Sequence, residues 1–363
     1  MRIAVLPNSV SILPDVMNRV TLFDAPGSTA TGSVGTNIFK EFVGSLGRTA
    51  ATRAWDLTAL AMAVIAADRH FNRAAVSEDG WTRIIEVTVA VSDPALWGDL
   101  SDLVGRLLSF LTGDVWSVSF VGGGLQPPPP KRPVGGRPET CVSLLSGGLD
   151  SLIGAIDLHS AGQTPLYVSN RVKGDCIRQA AFAQAVGAQS RLVALNHNAR
   201  TGTHSPEISQ RPRSLAFFAF GVMAATTLDR YRSGDTIDLH VPENGFISLN
   251  VPLTRLRAGS LSTRTTHPIF MRDMQSLLDG LDLRVRLVNR YQFKTKGEMM
   301  AECADLPLLA QLAPRSMSCG RSGRTYEHCG RCLPCLVRRA AFLRHGQSIT
   351  CDTTAYTWPA HGN

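Results

Sequence analysis

The stretch from Cys141 to Ile156, CVSLLSGGLDSLIGAI, constrains the fold of this chain more than any other. Val142, Leu144 and Leu145 make a brief apolar run, and Leu152, Ile153 and Ile156 recur at helical spacing just beyond it. Ser146, Gly147, Gly148, Leu149, Asp150 and Ser151 join the two, so the order is strand, glycine turn, helix. The glycines let backbone approach a ligand closely. The N–H groups that open the helix, its dipole and the hydroxyls of Ser146 and Ser151 together suit an anion such as a phosphate chain. A Walker A loop would need a Lys after its last glycine, and here Leu149 and Asp150 take that place.

Beyond this turn the pattern alternates. Leu166 to Ser169 reads as a strand, Cys176 to Val186 as a helix, Arg191 to Leu195 as a strand, Arg213 to Leu228 as a helix and Ile237 to Val241 as a strand. Such alternation predicts a Rossmann-like, doubly wound parallel sheet with helices on both faces. Ligands of such sheets bind at the carboxyl ends of the strands, where Ser146 and Glu243 both fall.

An earlier α/β pattern stands apart. Leu57, Leu60, Ala61, Val64 and Ile65 share one face of a helix that begins near Ala51. Ile85, Val87, Val89 and Val91 then alternate as in a half-buried strand, and Ser92 or Asp93 can cap a helix with Pro94 in its first turn. Trp97, Leu100, Val104, Leu107 and Leu111 continue at helical spacing, and Trp116, Val118 and Phe120 line one face of a second strand. Residues 1 to about 50 show no clear period. The expected organisation is a small α/β domain over 1–121, a stiff Pro/Gly-rich linker over 122–138 and a nucleotide domain over 139–363. The first domain carries no cluster of His, Cys or paired carboxylates, which points to partner or protein-substrate docking.

The 363 residues, 44% hydrophobic and 18% charged, describe an ordinary globular protein with room for two cores. There is no apolar run of about 18 residues, so no membrane span is expected, and a cytoplasmic location is the default. The net charge of +8 invites a nucleic-acid partner, but only five of the 37 basic residues are Lys and the Arg are scattered.

The eight cysteines are uneven: Cys319, Cys329, Cys332 and Cys335 crowd into one short stretch, 319–335. Without a secretion signal such a cluster reads as metal ligands. Four thiolates with no open position favour structural Zn2+ over an iron–sulfur cluster, and His328 is a competing ligand. Cys141, Cys176, Cys303 and Cys351 are isolated thiols.

An SGG-x-DS loop joined to a C-terminal four-cysteine knot resembles the QueC family, the 7-cyano-7-deazaguanine synthases of the PP-loop ATP pyrophosphatases, over about residues 139–346. Arg213 and Ser214 match the family's helix opening, Val241 and Glu243 its strand end, and Lys296 its lysine before the knot. Val168, Ser169 and Asn170 replace its Tyr-Gly-Gln, and Gly245 replaces an Asp. The additional N-terminal domain, FLTGD at Phe110 to Asp114 and the LSTRTTHP segment look more like the QueC-like proteins of bacterial anti-phage defence, of the Qat and type IV CBASS kinds.

The resemblance implies an adenine-nucleotide α-hydrolase-like fold that uses ATP, Mg2+ and Zn2+. ATP phosphates would lie on Ser146, Gly147, Gly148, Leu149, Asp150 and Ser151, with Asp150 near the magnesium. Arg213 and Lys296 would hold phosphates or the acceptor's carboxylate. Glu243, Asn250, Arg264, Thr265 and His267 are the expected holders of base or acceptor. A 7-deazaguanine carboxylate would be adenylated and passed to an amine, with a defence-operon partner protein, docked on the first domain, as acceptor. The alternatives are a free nitrile synthase and a PP-loop tRNA-modifying enzyme.

Overall fold

Ten short strands assemble into two parallel sheets in this computed structural model, which describes residues 1–11, 18–171, 174–203, 205–207, 211–251, 264–320, 326–345 and 352–358. The central part of the LSTRTTHP-bearing insert and Cys351 lie outside those residues. By backbone packing the chain divides into two units, one of Met1–Pro138, Leu195–Ile237 and Pro252–Arg286, the other of Glu139–Ala194, Asp238–Val251 and Leu287–Asn363.

The first unit holds the strands β1 (Arg2–Leu6), β2 (Arg19–Leu22), β3 (Gly32–Val34), β4 (Ile84–Ala90) and β5 (Val115–Val121), in the order β3-β2-β1-β4-β5 and parallel throughout. The first three strands and the helix Thr36–Ser45 occupy the stretch in which no period was legible. Strands of three to five residues, buried on both faces, leave no alternation to read. β4 follows expectation, with Ile85, Val87 and Val89 inward. Asp93, rather than Ser92, caps the next helix, its Oδ1 accepting the Leu96 N–H at 3.2 Å.

The helix Thr52–His70 departs from the one-faced pattern, because every residue from Ala54 to Asp68 is buried. It lies between the sheet and the helix Arg213–Ala225, and its many alanines let backbone approach on all sides. Asp68, at its end, joins a buried ionic cluster. Arg83 donates to Asp68 Oδ1 at 2.5 Å and Asp114 Oδ2 at 2.7 Å, and Arg73 reaches Asp114 Oδ1 at 2.7 Å. The FLTGD residues owe their pattern to this cluster: Gly113 ends the helix Ser101–Thr112 in the left-handed region (φ 75°), which delivers Asp114 to both arginines.

Residues 122–138 form neither helix nor strand, and they pack along the first unit. The Gly124 N–H donates to Val91 O at 3.2 Å, Val134 N–H to Gly47 O at 3.0 Å, and the Arg137 guanidinium to Leu46 O at 2.9 Å.

The second sheet contains β6 (Cys141–Leu144), β7 (Pro165–Asn170), β8 (Leu192–Leu195), β9 (Ile237–His240) and β10 (Val285–Val288), in the order β10-β9-β6-β7-β8. β6 runs parallel to both neighbours, with Val142 opposite Leu166 on one side and Leu239 on the other. The chain leaves β6 toward β7 and β8, then returns to the far side of β6 as β9. This reversal is the topological switch point, where such sheets open a crevice beyond the strand ends.

Beneath the crevice, Leu145, Leu149, Leu152, Ile153 and Ile156 pack with Tyr167, Phe182, Met299 and Met300. Burial of each such large side chain is worth about 1.5–3 kcal/mol. Among the described residues no helix is long and apolar enough to cross a membrane.

Candidate functional site

The turn after β6 has the geometry its glycines anticipate. Gly147 sits at φ 87°, a left-handed conformation open to glycine. A side chain on Gly148 would start 3.3 Å from the Met317 carbonyl, so backbone passes close on that side. The helix Leu149–Ser160 follows, and its N-cap, Gly148, supplies no side-chain acceptor. No N-cap side chain therefore satisfies the first-turn N–H groups. Ser146 and Ser151 converge beside them: Ser146 Oγ donates to Ser151 Oγ at 3.1 Å, and Ser151 Oγ donates to Gly148 O at 3.0 Å.

Asp150, in the first helical turn, is buried and engaged on both oxygens. The Lys296 ammonium binds Oδ1. On the other side Oδ2 accepts the Asn244 backbone N–H at 3.2 Å and its Nδ2 at 2.7 Å. Lys296 opens the helix Lys296–Ala301 behind a capping box in which the Thr295 hydroxyl and the Glu298 carboxylate each accept the other residue's backbone N–H. That box sets the direction in which Lys296 leaves the backbone.

Glu243 stands beside this pair at the end of β9, where Asn289 grips its backbone, Nδ2 donating to Glu243 O at 2.9 Å. Its carboxyl is pushed up to about 8, first by desolvation and then by the neighbouring Asp150 carboxylate. One proton on Glu243 thus accompanies the charged Asp150–Lys296 pair at neutral pH. Gly154 makes room for the arrangement, since a methyl there would lie 2.5 Å from the Pro242 ring.

Two departures from the QueC pattern have local causes. Ser169 is buried and donates to Leu145 O at 2.7 Å, tying the end of β7 to the strand that carries the glycine turn. At Gly245 a Cβ would fall 2.1 Å from Gln292 O, so the backbone of residues 292–294 fills the space an Asp would need. Asn250 ends the short helix Gly245–Leu249 in the left-handed region (φ 48°).

The remaining expected holders, Arg213, Arg264, Thr265 and His267, belong to the first unit. Arg213 is the first residue of its helix. Arg264 donates to Phe110 O at 2.7 Å and lies 4.9 Å over that ring, and Thr265 follows it in a turn. His267 Nδ1 accepts the Ile269 N–H at 3.2 Å, capping the helix Pro268–Gly280, while its ring packs 4.9 Å from Phe110. Arg264 and His267 therefore have structural partners within their own unit.

The four cysteines converge, with their Sγ atoms all within 4.8 Å of one another. Tetrahedral zinc with Zn–S bonds of about 2.3 Å requires sulfurs about 3.8 Å apart. Cys319 Sγ and Cys332 Sγ stand at 3.9 Å. The Cys329 N–H points at Cys319 Sγ at 3.4 Å and the Cys332 N–H at Cys329 Sγ at 3.3 Å, a pattern that stabilises thiolates. Cys332 is pulled down to about 4, chiefly by its hydrogen bond from Cys335, whose own thiol is pushed up. The donor set fits a closed, structural metal site.

His328 is not one of the four ligands. Its Nε2 accepts the Ser318 N–H at 3.1 Å, its ring packs against Tyr356, and desolvation holds it near 4 and neutral. The knot also meets the glycine turn, because the Met317 N–H, two residues before Cys319, donates to Gly147 O at 3.0 Å. Arg338, buried on the helix Leu333–His345 that carries Cys335, fixes the same segment through Ser316 Oγ at 2.7 Å and Ala313 O at 2.6 Å.

Asn244, Asn289, Met317 and Arg338 are absent from the sequence-based set. The first carried a weak signal, an Asn before a short apolar run, the mark of a helix cap. The others act through backbone or across long separations, and nothing local in the sequence marks them.

No protein-family model matches the chain, and no curated protein matches it. The functional reading therefore rests on this geometry and on the motif resemblance.

Proposed function

We propose that this chain is a QueC-like ATP-dependent enzyme that adenylates a 7-deazaguanine carboxylate and transfers the acyl group to an amine, acting in anti-phage defence on a partner protein held by the first unit. The observation that carries the reading is the glycine turn at the switch point of the second sheet, with uncapped N–H groups, two serine hydroxyls and the buried Asp150–Lys296 pair around it.

In this reaction a carboxylate oxygen of the acid attacks the α-phosphorus of ATP, the bond to the bridging oxygen breaks, and pyrophosphate departs. The first-turn N–H groups and the Lys296 ammonium bind the departing charge, which supplies stabilisation without covalent chemistry by the protein. An amine nitrogen then attacks the acyl carbon, loses its proton, and expels AMP to leave an amide.

Asp150, joined by Glu243 once that carboxyl gives up its proton, would supply the hard oxygen donors that hold Mg2+, and the ion would neutralise phosphate charge. Zn2+ on Cys319, Cys329, Cys332 and Cys335 would serve the fold alone, since four protein thiolates leave it no open position.

The test is incubation with Mg2+, ATP, 7-carboxy-7-deazaguanine and the proteins encoded beside this one, followed by AMP quantification and intact-protein mass spectrometry. AMP release with a neighbour gaining the mass of the base supports the full reading. AMP with a free nitrile selects the small-molecule synthase, and modified tRNA selects the RNA enzyme. Failure to form AMP from ATP with any of these acceptors refutes the reading.

A further inference from the structure

Asn244 is fully buried and uses both ends of its side-chain amide. Its Oδ1 accepts the Ile247 N–H at 3.1 Å and so caps the helix Gly245–Leu249. The cap decides which way round the amide sits, and Nδ2 is left to donate to Asp150 Oδ2 at 2.7 Å. The Asn244 backbone N–H reaches the same oxygen at 3.2 Å. Oδ2 is therefore held by two donors that the turn itself immobilises.

Oδ1 is held differently. Its partner is the Lys296 ammonium, a point charge at the end of a flexible four-carbon stem. When a polyanion reaches the glycine turn, the ammonium can rotate to it at the cost of a few side-chain torsions. Asn244 has no such freedom, because releasing Oδ2 means breaking its own cap and displacing its own backbone.

We infer that Asn244 is a positioning residue that clamps Asp150 through Oδ2, so that Oδ1 is presented when Lys296 transfers to the nucleotide. The inference rests on the nucleotide reading above and adds to it a residue outside the motif set. Its sequence separation of 94 from Asp150 explains why the motif does not reveal it.

The comparison that tests it separates clamping from capping. Ser caps helices as well as Asn does, so Asn244→Ser keeps the cap while its shorter side chain leaves Asp150 without the Nδ2 donor. Asn244→Ala removes both. Calorimetry of ATP binding with and without Mg2+, on the full chain, reads the clamp, and thermal melting reads the cap.

A hydrogen bond to a charged group is at stake, so N244S should bind Mg2+–ATP about tenfold more weakly or worse. The gain in ATP affinity on adding Mg2+ should shrink with it, while the melting temperature stays closer to wild type than that of N244A. N244S that binds Mg2+–ATP within twofold of wild type, with the Mg2+ gain intact, overturns the inference and leaves Asn244 as a cap. If N244S fails to fold, Asn244→Asp carries the same comparison, since it keeps the cap and the volume and turns an acceptor toward Asp150. Wild-type protein that binds no Mg2+–ATP overturns the nucleotide reading itself, a result visible before any variant is made.

Discussion

Breaking the Asp150–Lys296 pair should cost far more than breaking a surface ion pair. The two side chains are only 7% and 8% exposed. Exposed pairs are worth about 0–1 kcal/mol, whereas removing one member of a buried pair costs about 3–5 kcal/mol because the other charge is stranded. Lys296→Met strands Asp150, but Asn244 still supplies two donors to Oδ2, which places the cost near the lower end, about 3 kcal/mol. Asp150→Asn strands the Lys296 ammonium, partly relieved as Glu243 gives up its proton, and should cost a similar amount. The double variant D150N/K296M strands nothing. It should cost less than the sum of the singles by about 2 kcal/mol or more, the coupling expected of a contacting charged pair. The assay is equilibrium urea unfolding read by amide hydrogen exchange in β6 and the helix Leu149–Ser160, which reports the second unit without signal from the first. Singles that each cost under about 1 kcal/mol and add without coupling would refute the argument that this pair is desolvated and mutually dependent.

Purified protein should carry one zinc per chain by elemental analysis, and Cys329→Ser/Cys332→Ser should lose it. Stripping the metal should also speed amide exchange at Met317, whose N–H is donated to Gly147. Stability should fall as pH rises from about 4.5 to about 8, the window in which the folded Glu243 keeps a proton that the unfolded carboxyl has lost. The depressed histidines, His197 and His328, are common to both proteins, so between about pH 5 and 8, without Mg2+ or nucleotide, the melting temperature of wild type should fall relative to that of Glu243→Gln. Gly154→Ala should destabilise by about 1–3 kcal/mol by urea unfolding although alanine is the better helix former, because its methyl meets the Pro242 ring. Arg83→Leu should cost about 3 kcal/mol or more by the same method, by stranding Asp68 in the first unit, while Arg73 still holds Asp114.

What could be read from the sequence was what is local. The strand, glycine turn and helix at Cys141 to Ile156 are specified by adjacent residues, and so is the metal set, three of whose cysteines lie within seven positions of one another. β4 and β5 were legible because each has one face turned outward. β1, β2 and β3 were not, since short strands buried on both faces carry no alternation. The helix Thr52–His70 was placed correctly but read as one-faced, because alanine scores as neutral wherever it points and the packing on its second side is made by alanines. Arg264 and His267 show the opposite case. Their residue types suggest ligand chemistry, and only the fold shows Phe110 taking up both. Asn244 joins Asp150 through a contact that exists only once β9 has been laid beside β6.

Asp150 and Lys296 lie 146 residues apart in the chain, which has a consequence for how the protein is made. A ribosome adding about 5–20 residues each second completes the glycine turn some 7–30 s before it adds the lysine that neutralises Asp150. Through that interval the nascent second unit carries an acidic centre with no counterion, and the cysteine knot that steadies the turn is still untranslated. A message cut short anywhere before residue 296 should therefore yield a second unit in which Asp150 lacks the ammonium that pairs with it in the finished fold.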